Sequence, residues 1–150
     1  MTAKTPHTRK AKGRRFQQDL RVDIIEWIGI DEGDILSTAM GQSGCDIYLS
    51  PAARERFPYG VEAKHQETFA IFSWLKQAET NAVKEGLIPL LVFKRNQMKP
   101  HVILSWKRFL PLHLSALIVQ SDDRQGLFEM LNVHLSQPDI DLLNSTLDRI

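Results

Sequence analysis

Apolar side chains recur at spacings of three and four from residue 16 onward, at Phe16, Leu20, Ile24, Trp27 and Ile28. That repeat lays one apolar stripe along a helix and predicts a helix over residues 14–29. Asp31, Glu32, Gly33 and Asp34 break the repeat and end it. Three short segments of strand character follow, over residues 34–39, 46–49 and 59–64. A glycine loop, 41–44, separates the first two. Before the third, Ser50 is placed to cap a short helical turn whose first position is Pro51.

A second helical repeat, Phe69, Phe72, Leu75, Ala78, Ala82 and Val83, predicts a helix over 67–85 with Gly86 as its stop. The continuous apolar run 89–93 reads as a strand covered on both faces. Residues 101–106 give one more strand, after a turn at 95–100. The tail beyond Trp106 is less regular, with helices predicted around 125–135 and 139–147. Consecutive strands predict an antiparallel meander, and the helix after them predicts a crossover to a neighbouring strand. The fold class is therefore α/β: a mixed β-sheet flanked by helices, in the order helix, three-strand meander, helix, strand, with a helical C-terminal tail.

The chain has 150 residues, 43% hydrophobic and 25% charged, enough for one core. A single domain over 13–150 is expected, with its core at about 13–105 and a helical extension from 106. The apolar runs are far shorter than the ~20 residues of a membrane span. One cysteine, Cys45, excludes an internal disulfide and a four-thiolate zinc site. The first residues lack the apolar stretch of a secretory signal, so a reducing, cytoplasmic compartment is expected.

The net charge of +1 hides a polarity along the chain. Residues 1–18 hold Lys4, Arg9, Lys10, Lys12, Arg14 and Arg15 and no acid, while the rest carry 13 basic and 18 acidic side chains. Residues 1–12 read as a flexible basic arm drawn to polyanions. A solvated tail that aids solubility has the same composition, so the arm by itself does not choose.

Three ionisable residues fall on predicted strands. Asp46 starts one, and Glu62 and Lys64 lie within the next, where alternation turns Gly60, Glu62 and Lys64 to one side and Tyr59, Val61 and Ala63 to the other. If those strands pair, two carboxylates and an ammonium converge. Two acids with nearby main-chain carbonyls make a hard oxygen cage for Mg²⁺ or Mn²⁺. The lysine beside it is placed to orient an attacking water and to offset charge on a pentacovalent transition state. The same Glu-x-Lys triplet also describes a solvated ion pair worth about 0–1 kcal/mol, and spacing alone does not separate the two. The glycine loop and Asp46 upstream favour the first.

Asp46, followed by Glu62-Ala63-Lys64 and preceded by a basic helix that opens Gly13-Arg14-Arg15-Phe16-Gln17, resembles the PD-(D/E)XK nuclease superfamily. The likeness is greatest to small phage endonucleases and archaeal-type Holliday-junction resolvases, and it covers about residues 13–105. It implies a restriction-endonuclease-like fold and a metal-dependent endonuclease that hydrolyses phosphodiester bonds of DNA. By the resemblance Asp46 and Glu62 are metal-binding acids, Ala63 lends a backbone carbonyl, and Lys64 is catalytic. Gln17 stands where several of these nucleases carry a glutamate; it brings no charge, so a second metal is held less securely. A proline-aspartate pair is also absent, because Cys45 precedes Asp46.

The resemblance further implies that Gln77, one turn before Asn81, approaches the scissile strand; a surface polar pair is the alternative. Gln42 and Ser43 are candidate phosphate contacts, and Lys94 and Arg95, with Lys10, Lys12, Arg14 and Arg15, a basic DNA-binding border. Cys45 is not expected to be a nucleophile, since no histidine is near it in sequence and alternation turns it from Asp46. The five histidines show no metal-ligand spacing and read as surface or packing residues, and Phe72, Trp74 and Trp106 read as core. Branched recombination DNA cut by a homodimer is the expected substrate, with apolar segments 109–119 and 128–135 as the dimer surface. The compartment is then the cytoplasm of a phage-bearing bacterium. The rivals are a non-catalytic DNA-binding or assembly protein of nuclease-like fold and a nuclease of linear duplex DNA.

Overall fold

In the computed structural model, which describes residues 6–39 and 41–120, helix α1 spans Pro6–Ile28. The apolar repeat predicts a start at residue 14 and a flexible arm before it, yet residues 6–12 are helical. Their Lys, Arg and Ala side chains favour a helix, proline is tolerated in a first turn, and the helix propagates outward from the segment whose packing nucleates it. Phe16, Leu20 and Ile24 are buried in the main core. Trp27, grouped with them by the repeat, is 83% exposed because it sits one position off the stripe that runs to Ile28.

The chain forms two compact units, Met1–Leu104 and Ser105–Ile150. In the first, β1 (Ile35–Ser37) pairs antiparallel with β2 (Ile47–Leu49), Ile35 opposite Leu49. Strand β3 (Tyr59–His65) lies parallel to β4 (Ile88–Lys94), and β5 (His101–Ile103) runs antiparallel on the other edge of β4. The predicted three-strand meander is thus divided between a two-stranded and a three-stranded sheet. Asp46 is the reason. Its N–H donates to Val61 O at 2.9 Å, but at the next step along β3 its side chain, not a strand, meets the backbone. Past β2 the chain turns into α2 (Pro51–Arg56), capped by Ser50 Oγ accepting from Ala53 N–H, as predicted.

Helix α3 (Ile71–Lys84) is the predicted crossover between β3 and β4. It starts at Ile71 and not at residue 67 because Glu67 is held by Asn96 N–H and Arg95, and Phe69 packs on Trp74 and Phe93. Its buried face is Trp74, Ala78 and Ala82, whereas Phe72 is 89% exposed and Val83 is exposed. Gly86, at φ +67°, ends it: Gly86 N–H donates to Val83 O and Leu87 N–H to Ala82 O, with Leu87 packed on Ala82. Strand β4 is covered on both faces, since Leu91 packs on Trp74 and Ala78 and Val92 joins the core that contains Phe16. The two faces of β3 part likewise: Val61 and Ala63 enter the α1 core, and Gly60 lies against Ala82 of α3.

The predicted strand over 101–106 ends at Ile103, and Trp106–Gln120 form helix α4 where an irregular tail was expected. Pro111 lies inside α4 and conceals it from a reading of breakers. Trp106 is exposed, not core, and stacks on Phe109. Of the segment expected to form a dimer surface, Phe109, Leu110 and Leu112 are exposed. The helices expected at 125–135 and 139–147, and the apolar segment 128–135, lie outside the described residues. No helix among the described residues is long and apolar enough to cross a membrane.

Candidate active site

Asp46 is fixed to β3 twice. Beside its backbone bond to Val61, its Oδ2 accepts from Ala63 N–H at 2.7 Å and its Oδ1 from Gln17 Nε2 at 2.6 Å. The N–H and C=O of one strand residue leave on the same side, so the Ala63 carbonyl also leaves toward Asp46. Gln17 is brought there by α1, one residue after the buried Phe16.

Glu62 occupies the neighbouring position on β3 and is only 2% exposed. Its Oε1 meets Lys64 Nζ at 2.5 Å as a charge contact, not an aligned hydrogen bond, and its Oε2 accepts from Asn81 Nδ2 at 3.3 Å. Lys64 Nζ also donates to Gln77 Oε1 at 3.0 Å. Glu62, Lys64, Gln77 and Asn81 thus form one chain of contacts between β3 and α3. The solvated-pair alternative for Glu62 and Lys64 does not describe a carboxylate this deeply buried.

Burial pushes the Asp46 carboxyl above the ordinary range of an aspartate, against the opposing pull of Ala63 N–H, Lys64 and Gln17. Burial, and then the Asp46 charge, push Glu62 upward, against Lys64 and Asn81. Two carboxylates desolvated side by side, one raising the protonation of the other, are a poor structural device and a good cation site. Gln17, 6% exposed, holds its Oε1 without a hydrogen-bond partner. Among the described residues no group of three or more His, Cys, Asp or Glu gathers, so the donor set is two carboxylates and main-chain or amide oxygens. That set suits a hard divalent cation which keeps part of its water.

These residues line one cleft of about 770 Å³ with Gln42 and Ser43 of the glycine loop and with Arg9, Lys10 and Lys12 of α1. Arg14 and Arg15 are exposed and lie outside it. Lys94 and Arg95 are not among its lining either: Lys94 Nζ sits over the Phe16 ring at 5.3 Å, and Arg95 pairs with Glu67 at 3.6 Å. Of the basic residues expected at the border, Lys10 and Lys12 line the cleft, joined there by Arg9. His65, expected to be a scattered surface or packing residue, lines the cleft, as does Asn96.

One support has no signature in the sequence. Glu85, at the end of α3, accepts Cys45 N–H on Oε1 at 3.0 Å and meets Arg54 Nη2 with Oε2 at 3.1 Å. Arg54 also donates to Glu85 O and to Leu49 O, both at 2.9 Å. The residue before Asp46 is thereby tied to α2, α3 and β2 together. Gly44, at φ +116°, is needed beside it, since a Cβ there would stand 2.9 Å from Glu85 Oε1. Cys45 is buried with Ala82 and Leu87, and burial beside the Glu85 charge pushes its thiol up to about 12. That shift favours the neutral thiol over the thiolate.

The model of the family described as "Phage putative PDDEXK endonuclease" matches residues 8–137. No curated protein and no solved structure matches the chain. The matched span takes in every residue of the site from Arg9 to Asn96, and the mixed α/β unit with its crossover helix is consistent with a restriction-endonuclease-like fold. The chain belongs to the PDDEXK endonuclease family of phages.

Proposed function

We propose that this protein hydrolyses phosphodiester bonds of DNA with a divalent cation, Mg²⁺ or Mn²⁺, held by Asp46, Glu62 and the Ala63 carbonyl. The observation that carries this reading is the buried Glu62 carboxylate, in contact with Lys64 and raised in pKa by that burial and then by the neighbouring Asp46. The cation supplies charge stabilisation and a lowered pKa for water. Asp46 is oriented for binding by Ala63 N–H and Gln17. Lys64, held between Glu62 and Gln77, presents its ammonium where negative charge grows on the phosphate and where an attacking water is oriented. Hydrolysis adds water across one P–O ester bond, leaving one phosphomonoester and one hydroxyl.

Four-way DNA cut by a two-fold dimer is the substrate we put forward, on the sequence resemblance to junction resolvases and the exposed Phe109, Leu110 and Leu112 of α4. Cleavage of four-way and linear DNA with Mg²⁺ tests the reading. Glu62→Ala and Lys64→Ala are expected to lose about 10²–10⁴-fold in rate while still binding DNA. Wild-type rates from either variant would overturn it. A non-catalytic DNA-binding protein is the second reading, and the neutral Gln17 favours it. Calorimetry with Mn²⁺ separates them: cation binding lost in Asp46→Ala supports the enzyme, and no binding by the wild type supports the rival.

A further inference from the structure

One end of the cleft holds a polar cluster that the hydrolytic residues do not use. Lys12 Nζ donates to Asn96 Oδ1 at 2.9 Å, and His65 Nε2 lies 3.1 Å from the same oxygen. The three side chains come from α1, from the end of β3 and from the segment after β4; all are half-buried, and all line the cleft. Two donors that share one acceptor stand no farther apart than the sum of the two contacts, ~6 Å. They are therefore close enough to grip one tetrahedral anion.

The surroundings are cationic. Lys94 is the cross-strand partner of His65, and its ammonium lies over the Phe16 ring, which packs in a T-shaped contact with the His65 ring at 5.9 Å between centroids. Arg9 and Lys10 line the same cleft. Glu67, which also lines the cleft, accepts Asn96 N–H at 2.9 Å and pairs with Arg95 at 3.6 Å. Lys12, in a half-buried place, is left with a neutral amide oxygen as its recorded partner. A phosphate oxygen at that point is a better partner, because a hydrogen bond between charged groups is about twice as strong as a neutral one.

We propose that Lys12, His65 and Asn96 form a subsite for one backbone phosphate of the DNA strand, flanking the bond cut at Asp46, Glu62 and Lys64. The inference rests on the hydrolase reading and adds the register of the substrate. His65 lies three positions along β3 from Glu62, about 10 Å at a rise of 3.3 Å each, so the phosphate held is one beyond the scissile group. Such a contact fixes where the strand lies and carries no base information.

The test replaces single phosphates on either side of the mapped cut by uncharged methylphosphonates and measures kcat/KM with Mg²⁺. One flanking position is expected to cost the wild type about tenfold, the size of one hydrogen bond to a charged group. Lys12→Ala should lose the same factor on native DNA and nothing more at that position. Asn96→Asp, which sets a fixed carboxylate against both donors, should erase the sensitivity as well. Arg15→Ala, on the same helix but outside the cleft, should weaken all substrates alike and keep it. Independent, multiplying losses for Lys12→Ala and every methylphosphonate would overturn the subsite. The same cycle, with the methylphosphonate walked through every position of the DNA and read as equilibrium binding by metal-free protein, judges it even if the wild type cuts no DNA, an outcome that would sink the hydrolase reading alone.

Discussion

Gly60 and Ala82 touch so closely that a Cβ on Gly60 would stand 2.6 Å from the Ala82 Cβ and 2.8 Å from Cys45 Sγ. This contact sets how near α3 lies to β3, and α3 carries Asn81 and Gln77 onto Glu62 and Lys64. Gly60→Ala should therefore cost about 1–3 kcal/mol, as overpacking does. Because the helix must move, cleavage should fall more than the loss of folded protein explains. Thermal melting and single-turnover rates on the same sample check both.

The two acids predict a pH dependence of stability with a definite sign. Asp46 and Glu62 have folded pKa values raised above the unfolded ones, so the native state binds the extra protons. Their favourable contribution is complete below the ordinary carboxylate range and is lost as pH rises through the raised values. Once both are ionised, the two charges cost stability. Without added metal, the midpoint of Glu62→Gln relative to the wild type should therefore rise as pH is raised through the titration of Glu62. Mg²⁺ should raise the wild-type midpoint at pH 8 and that of the variant much less.

Cys45 supplies a prediction that separates a packing residue from a chemical one. With its thiol pushed up to about 12, it should resist iodoacetamide at pH 8 until the protein unfolds. Cys45→Ala should keep its cleavage rate, at a packing cost of about 1 kcal/mol. The folded protein holds the thiol proton, and that contribution to stability disappears as pH climbs from about 9 to about 12.

The parts of this structure that are legible in the sequence are those set by a period. The stripe of Phe16, Leu20 and Ile24 and the alternation that turns Gly60, Glu62 and Lys64 together both appear as read. What stays hidden depends on contacts between distant segments. Asp46 divides the sheet because its own side chain takes the Ala63 N–H that a strand would have used, and nothing in residues 34–64 announces that. The helical start at Pro6 carries no apolar repeat, and Phe72 shares the period of its helix but not its buried face. Glu85 and Arg54, or Lys12 and Asn96, meet across 31 and 84 positions, where no spacing rule reaches.

The Arg54 and Glu85 pair reaches Asp46 from both sides, through Cys45 N–H before it and through Leu49 O at the end of the strand after it. Glu85→Ala removes the acceptor of Cys45 N–H and leaves the Arg54 guanidinium, half-buried, without its carboxylate. A cost of about 1–3 kcal/mol is expected, reduced toward the lower end by partial exposure of both groups. If the pair serves only to hold the fold together, cation affinity per folded molecule should not change. If it positions Asp46, Mn²⁺ should bind several-fold more weakly by calorimetry even where the variant is fully folded. Glu85→Gln keeps an oxygen for Cys45 N–H while giving up the charge on Arg54, so it should recover most of the cation affinity and little of the stability. Unchanged cation affinity per folded molecule in both variants, whatever the loss of stability, would assign the pair to the scaffold and leave Asp46 oriented by Ala63 and Gln17 alone.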